Sequence, residues 1–420
     1  MLTSGRADAP PGGGANVSTV GADPVTQVAD VLVVGGGPAG ATAALELVRR
    51  GRSVTLVEQH PAPREKVCGD GLIPDAIDCL ADLGLRDAVS ARAHALAGLR
   101  LTSPRGLQVD LRGSFLTIER RTLDSLLLRA AAAEGVDVRE GYTATGFAAD
   151  ARGCSVRARS GDGEASFSAR LCLLATGASS KSLQAFGVPH RLHPSALAAR
   201  AYYRLRPDVP DDRLQIWYEE PVLPGYGWMF PMGGGVFNVG VGMFLDAGGG
   251  KVNLRTLLDR FSTHCRGVRE MIDGAEALTP LVGAPLRTAL RGTTPHADRL
   301  LVTGEAIGAT YSFSGEGIGK AMETARLAAR LADEALASDR PMSETLARYP
   351  QELEEHFRDK FAAYQVAQKW LRHPWVVNLV SKKAVRSERV RAILEDVISE
   401  RRSPTEVLSL PGLVRLALFA

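Results

Sequence analysis

Cysteine is scarce in this chain. Its 420 residues hold five, Cys68, Cys79, Cys154, Cys172 and Cys265, with no C-x-x-C pair among them. An odd, scattered set excludes a disulfide framework and a zinc ribbon as organising features, and no metal site is expected. Charge of one sign is lacking too: 50 Lys and Arg against 47 Asp and Glu leave +3, too little for the broad basic field that nucleic acid requires. There is no uninterrupted apolar run of about 18 residues, so a membrane-spanning helix is not expected. H-E-x-x-H, G-x-S-x-G and P-loop patterns are missing as well, which removes support for hydrolase and kinase chemistry. Residues 1–28 contain no apolar core segment and read as a disordered leader, not a secretory signal. Cytoplasmic residence follows as the default expectation. What the chain does have, 45% hydrophobic and 23% charged residues, is the balance of a globular protein with a large core.

Order is expected to begin at Asp30-Val-Leu-Val-Val34, a short β-rich run that meets a cluster of glycines. That pattern predicts a buried parallel strand entering a turn. A helix from Pro38 to Arg50 and a strand from Ser53 to Val57 complete one βαβ unit over residues 30–58. A second amphipathic helix is expected over Thr122–Glu134, with Thr122 as its N-cap. Short strands dominate from Tyr142 to Leu174 and from Ala196 to Met243, the second block reading as an antiparallel sheet. An apolar strand at Leu300–Thr303, an Ala-rich helix from Gly317 to Leu336 and helical sequence after Met342 follow.

The glycine cluster reads Gly35-Gly-Gly-Pro-Ala-Gly40 and contains G-x-G-x-x-G at Gly35, Gly37 and Gly40. Chance matches to this pattern are common in a chain with 44 glycines, but here it follows a strand and opens a helix, and Glu58 ends the next strand. Gly35 permits the turn, Gly37 lets the backbone approach a pyrophosphate, and Gly40 allows close contact between helix and strand. Ala39 completes the turn at the cofactor. The helix N-terminus offers free N–H donors, and Glu58 is expected to accept from ribose hydroxyls. An acidic residue there favours FAD or NAD over NADP.

With four further motifs the chain resembles the geranylgeranyl reductase family of FAD-dependent oxidoreductases, which share the p-hydroxybenzoate hydroxylase type of fold. Arg64-Glu-Lys-Val-Cys-Gly-Asp-Gly71 is similar to the family's Lys-x-Cys-Gly segment along the flavin, with Lys66, Cys68, Gly69 and Gly71 at matching places. Arg120 with Asp124 matches R-x-x-F-D, although Leu123 replaces Phe, and implies an arginine at the phosphate or ribityl region. Ala144 falls where the family packs backbone against adenine. Gly225-Tyr-Gly-Trp-Met-Phe-Pro231 matches Y-x-W-x-F-P, and its period of two puts Tyr226, Trp228 and Phe230 on one strand face. Gly304-Glu-Ala-Ile-Gly308 with Ser314-Gly-Glu-Gly-Ile318 resembles the second flavin fingerprint, placing Glu305, Gly317 and Ile318 at the cofactor. Thr176 stands where NADPH-dependent aromatic hydroxylases carry Asp.

The resemblance implies an α/β protein with a Rossmann-like FAD-binding domain (29–190 and 291–340), an antiparallel-sheet substrate domain (191–290) and a C-terminal helical lobe (341–420). It implies hydride transfer from FAD to C=C bonds of a geranylgeranyl-type prenyl chain, with electrons from NADPH, ferredoxin or another reduced flavin. Cys68 and Tyr226 are the candidate proton donors, and Tyr226, Trp228 and Phe230 the candidate substrate wall. From 358 to 420 twelve Lys and Arg face six Asp and Glu, and the apolar end 407–420 suits a peripheral membrane contact or the cover of a lipid tunnel. Two rival readings stay open: an oxygen-using monooxygenase or halogenase on the same scaffold, and a prenyl-binding escort without redox work.

Overall fold

The computed structural model describes residues 28–245 and 252–419, with side chains to residue 416. The expected leader, apart from Val28, lies outside them. The first sheet is built around strand Ala29–Val34, which pairs in parallel with Val54–Glu58 on one side and Gly163–Leu174 on the other. Val31, Leu32 and Val33 are fully buried, as a strand covered on both faces must be. Asp137–Glu140 and Leu300–Val302 extend the parallel order outward. Helices Pro38–Arg49 and Ile318–Ala337 pack against each other through alanine-rich buried sides, which let the two backbones come close.

A second, nine-stranded sheet holds Ala196–Arg204, Arg213–Trp217, Tyr226–Gly233 and Val236–Phe244. These pair antiparallel, as their alternation predicts. The sheet reaches beyond the 191–290 segment, however. Strands Gly71–Leu72, His94–Thr102 and Gln108–Thr117 join it from within the stretch expected to belong wholly to the FAD-binding domain, and His94–Thr102 runs parallel to Arg213–Trp217. A local apolar alternation marks a strand without naming its sheet, because the link that joins these strands to the sheet, His94–Thr102 to Arg213–Trp217, spans more than a hundred residues of chain.

The second amphipathic helix spans Arg120–Ala133 and starts two residues before the expected Thr122 cap. No side chain caps it; Arg120 instead pairs with Asp124 inside the first turn. Past residue 341, helices Tyr349–Leu371, Pro374–Arg386, Glu388–Ile398 and Leu410–Phe419 form the C-terminal lobe. Val380, Leu394, Leu408 and Leu413 pack onto Leu99, Leu111, Phe115 and Leu214 of the second sheet. Among the described residues no helix is long and apolar enough to cross a membrane.

Candidate functional site

The first strand delivers the chain into Gly35, whose φ of +105° favours glycine and where a Cβ would lie 2.5 Å from the Ala175 carbonyl oxygen. A Cβ on Gly40 would stand 1.8 Å from the Gly35 carbonyl oxygen. Gly40 therefore closes the helix onto the turn and does not itself border the cavity described below. Glu58 is 4% exposed, and its carboxylate accepts from the backbone N–H of Gly36 at 2.6 Å and of His60 at 3.0 Å.

Arg64, which heads the Cys68 segment but has no role in its motif, lies 3.9 Å from Glu58 and 2.8 Å from Asp124, yet its Nε and Nη2 are buried without a well-formed hydrogen bond. Arg120 holds Asp124 bidentately at 2.8 and 2.9 Å. A Cβ on Gly37 would sit 3.5 Å from Arg64 Nη2 and 3.9 Å from Arg120 Nη2. Two guanidinium groups thus converge on a glycine turn at a helix N-terminus. Such an arrangement fits an anionic pyrophosphate, the central group of FAD.

These residues border one cavity of about 590 Å³. Ala39, Lys66, Cys68, Gly69, Gly71, Ala144, Glu305, Gly317 and Ile318 all line it, so segments spread over nearly 280 residues of sequence converge there. Lys66 Nζ is 4.0 Å from Glu305 Oε2, and Gly317 precedes the first turn of the long helix. The longer Glu305 arm therefore still faces the cavity where the family carries Asp.

Tyr226, Trp228 and Phe230 form the expected wall, with successive ring centroids 5.8 and 6.1 Å apart. The wall meets the Cys68 segment directly: a Cβ on Gly69 would lie 3.2 Å from Phe230 and 3.7 Å from Trp228 Nε1. Tyr226 donates its hydroxyl to the Ser314 carbonyl at 2.5 Å, and burial pushes its acidity far from neutral pH. That commitment suits a structural tie to the flavin loop better than proton donation. Burial first, and the Asp70 carboxylate second, push the Cys68 thiol up, so it stays protonated near neutral pH.

Asp70, Asn238 and Tyr202 are site residues that the motif reading missed. Asp70 stood within the quoted Cys-Gly-Asp-Gly run, but only a fold brings the other two to it. Asn238 Nδ2 donates to Asp70 Oδ2 at 2.7 Å and to the Cys68 carbonyl at 2.8 Å, while its Oδ1 accepts from Trp228 Nε1 at 2.9 Å. Tyr202 donates its hydroxyl to the same Asp70 Oδ2. Desolvation raises the Asp70 carboxyl to about 6, against the pull of these hydrogen bonds and of Arg200 and Arg120.

Beyond the aromatic wall the cavity continues between the second sheet and the C-terminal lobe. Leu99, Leu111 and Phe115 line it from the sheet, Val380 and Leu394 from the helices, and Leu408 from the bend before the last helix. The tail segment thus covers an apolar compartment, with Leu408, Leu413 and Leu416 buried.

Comparison with known proteins agrees with this geometry. Residues 28–211 match the FAD binding domain family. The chain is 31% identical over 382 residues to menaquinone reductase of Mycolicibacterium smegmatis, covering 87% of this chain and 90% of that protein. It is 28% identical to digeranylgeranylglycerophospholipid reductase 1 of Methanopyrus kandleri, covering 88% and 98%. Among solved structures, a geranylgeranyl bacteriochlorophyll reductase-like protein from Thermoplasma acidophilum superposes with a TM-score of 0.73 at 24% identity over 93% of this chain and 96% of that one. A flavin-dependent brominase superposes with the same TM-score at 18% identity, covering 93% and 98%, so at these identities the likeness speaks for the fold alone. Motifs, cavity and relatives agree: the chain is an FAD-dependent oxidoreductase and belongs to the geranylgeranyl reductase family.

Proposed function

We propose that this protein reduces isolated C=C bonds in the prenyl chain of a lipid or prenylquinone. One observation carries the reading: the cavity that begins at the glycine turn runs past Cys68 and the aromatic strand into a compartment walled by aliphatic side chains. A prenyl chain offers only apolar surface and weak π density, which such a compartment suits. Reductases of menaquinone and of digeranylgeranylglycerophospholipid among the relatives support the same substrate class.

When bound, FAD reduced by two electrons, from NADPH, another reduced flavin or two equivalents of ferredoxin, would supply the hydride. The chain's own residues do the rest. Arg64 and Arg120 balance the pyrophosphate, Glu58 takes the adenosine ribose, and Glu305 takes the ribityl hydroxyls. Trp228 and Phe230 press the alkene toward the Cys68 segment and keep water out, since an alkene without a carbonyl to polarise needs its acid held close in a dry site. The C-terminal lobe closes the far end. Its outer surface carries Trp375, Lys382, Arg386, Leu410 and Val414, a mix of aromatic, basic and aliphatic side chains through which we expect peripheral contact with the membrane that holds the substrate.

The test is anaerobic incubation of dithionite-reduced protein with prenyl substrates, including a menaquinone with an unsaturated side chain, read by mass spectrometry. A gain of two hydrogens for each bond reduced is the expected product. Halogenated or hydroxylated products in air, with no reduced chain, would move the assignment to the oxygen-using enzymes that share the fold.

A further inference from the structure

Adding hydride to one carbon of a C=C bond leaves the other carbon in need of a proton. Cys68 and Tyr226 are the donors that the motifs suggest, but neither refills itself. Tyr226 spends its proton on the Ser314 carbonyl, and a thiol whose pKa is raised by burial gives up its proton only if another group replaces it.

Asp70 lies between Gly69 and Gly71 with φ +64°, a left-handed conformation that a third glycine would take without strain, so what the position gains is a carboxyl. That carboxyl is fully buried and borders the cavity. Its two oxygens are not equivalent. Oδ2 already accepts from Asn238 and Tyr202, so a proton on the group belongs on Oδ1, the oxygen with no partner among the described residues. The groups facing it are Tyr202 and Arg200 from strand Ala196–Arg204, Asn238 from strand Val236–Phe244, Arg120 from helix Arg120–Ala133, and Cys68 on its own segment. Arg200 is balanced by Glu65 at 3.1 Å, and Arg120 by Asp124. Both guanidinium groups favour the carboxylate, but each is shared with another acid, and desolvation outweighs their pull.

We propose that Asp70 is the proton store of this site, holding at Oδ1 the proton that ends on the substrate carbon, with Asn238 and Tyr202 as its positioning residues. The inference rests on the reductase reading above. In the balanced step, the alkene takes a hydride at one carbon and a proton at the other. The proton leaves Asp70 through the Cys68 thiol, which gives up one proton and receives another. Asp70 is left as the carboxylate and regains its proton from solvent between turnovers, and the two electrons come from the reduced flavin. Asn238 also ties the Cys68 carbonyl to the Trp228 indole, so the store, the thiol and the substrate wall share one hydrogen-bonded frame.

The test compares the FAD-loaded full chain with Asp70→Asn and Tyr202→Phe. Infrared difference titration of the carboxyl stretch needs no substrate, and single-turnover reduction of an unsaturated menaquinone is followed over the same pH range. In the wild type a protonated-carboxyl band should titrate near pH 6, and the rate should fall along the same curve as pH rises. Asp70→Asn should keep its flavin spectrum, lose the band and the falling limb, and turn over about 10²-fold more slowly. Tyr202→Phe removes a donor that favours the carboxylate, so band and limb should move together to higher pH. A purely structural Asp70 predicts no such joint movement. A limb that survives in Asp70→Asn, or a band that moves in Tyr202→Phe without the limb, overturns the proposal. If the wild type reduces no prenyl substrate, the reductase reading fails, and the infrared titration alone decides whether Asp70 stores a proton.

Discussion

Lys320 and Glu400 are 80 residues apart in the chain and meet at 2.8 Å, joining the start of the long helix beneath the cavity to the turn that follows helix Glu388–Ile398 in the C-terminal lobe. Lys320 is wholly buried and also reaches Glu323 at 2.7 Å and Asp75 at 3.3 Å, while Tyr311 donates to the same Glu400 oxygen at 3.2 Å. One buried ammonium group thus sits among three carboxylates, with the half-exposed Lys360 reaching the same Glu400 oxygen at 3.3 Å from the outside. Removing a single partner from a buried ionic cluster leaves uncompensated charge, which costs more than the intact cluster contributes.

Lys320→Met should therefore lower unfolding stability by about 3 to 5 kcal/mol. Because Glu400 belongs to the lobe, the first consequence should be its release. Limited proteolysis should cut the variant within residues 342–419 before the wild type, and urea unfolding gives the magnitude. Equal protease resistance would mean that the lobe is held in place without this cluster.

Glu58→Ala removes a buried carboxylate from the turn at which we propose the adenosine binds. Loss of a hydrogen bond to a charged group costs about 1.5 to 3 kcal/mol, or about ten- to a hundredfold in FAD affinity. Flavin content after dialysis, read from the absorption spectrum, checks this. Stoichiometric flavin in the variant would remove Glu58 from the ribose.

Trp228→Ala opens a cavity in the substrate wall without touching the glycine turn. Substrate stabilisation should fall by about 2 to 4 kcal/mol while flavin content stays unchanged. Part of the loss comes through Asn238, which would be left without its indole donor. Substrate titration of the oxidised protein separates this from a change in the chemical step.

Stability should depend on pH through Asp70. Its carboxyl rises from 3.8 to about 6 on folding, so between those values the native state binds more protons than the unfolded chain. Its contribution is complete below the lower value and lost as pH rises through the upper one, a change of about 3 kcal/mol. Asp70→Asn, which cannot ionise, should flatten that part of the profile. Thermal melts across this window, compared with the wild type, measure it.

Cosedimentation with anionic vesicles tests the outer face of the lobe. Trp375 is 55% and Leu410 63% exposed, which is unusual for side chains of this size. Replacing both with Ser should weaken binding at low salt, and high salt should weaken the wild type by screening Lys382 and Arg386. Binding that responds to neither change would leave this face as ordinary surface.

Much of the cofactor end was legible in the chain by itself, because its signals are local. A buried strand, a turn that needs glycine, a helix start and an acidic residue at the next strand end all fall within residues 29–58, and period-two spacing alone puts Tyr226, Trp228 and Phe230 on one face. The groups that tie the site together depend on contacts that no local pattern encodes. Asn238 meets Asp70 across 168 residues, and Arg64 carries no motif signal of its own until the fold sets it over Gly37. Strands His94–Thr102 and Gln108–Thr117 likewise alternate as strands do, yet pairing and packing decide that they belong to the second sheet. Backbone preference and side-chain period act over a turn or two of chain. Which carboxyl is buried with one oxygen unpaired, and which helices cover the apolar compartment, is settled only when distant segments exclude water together.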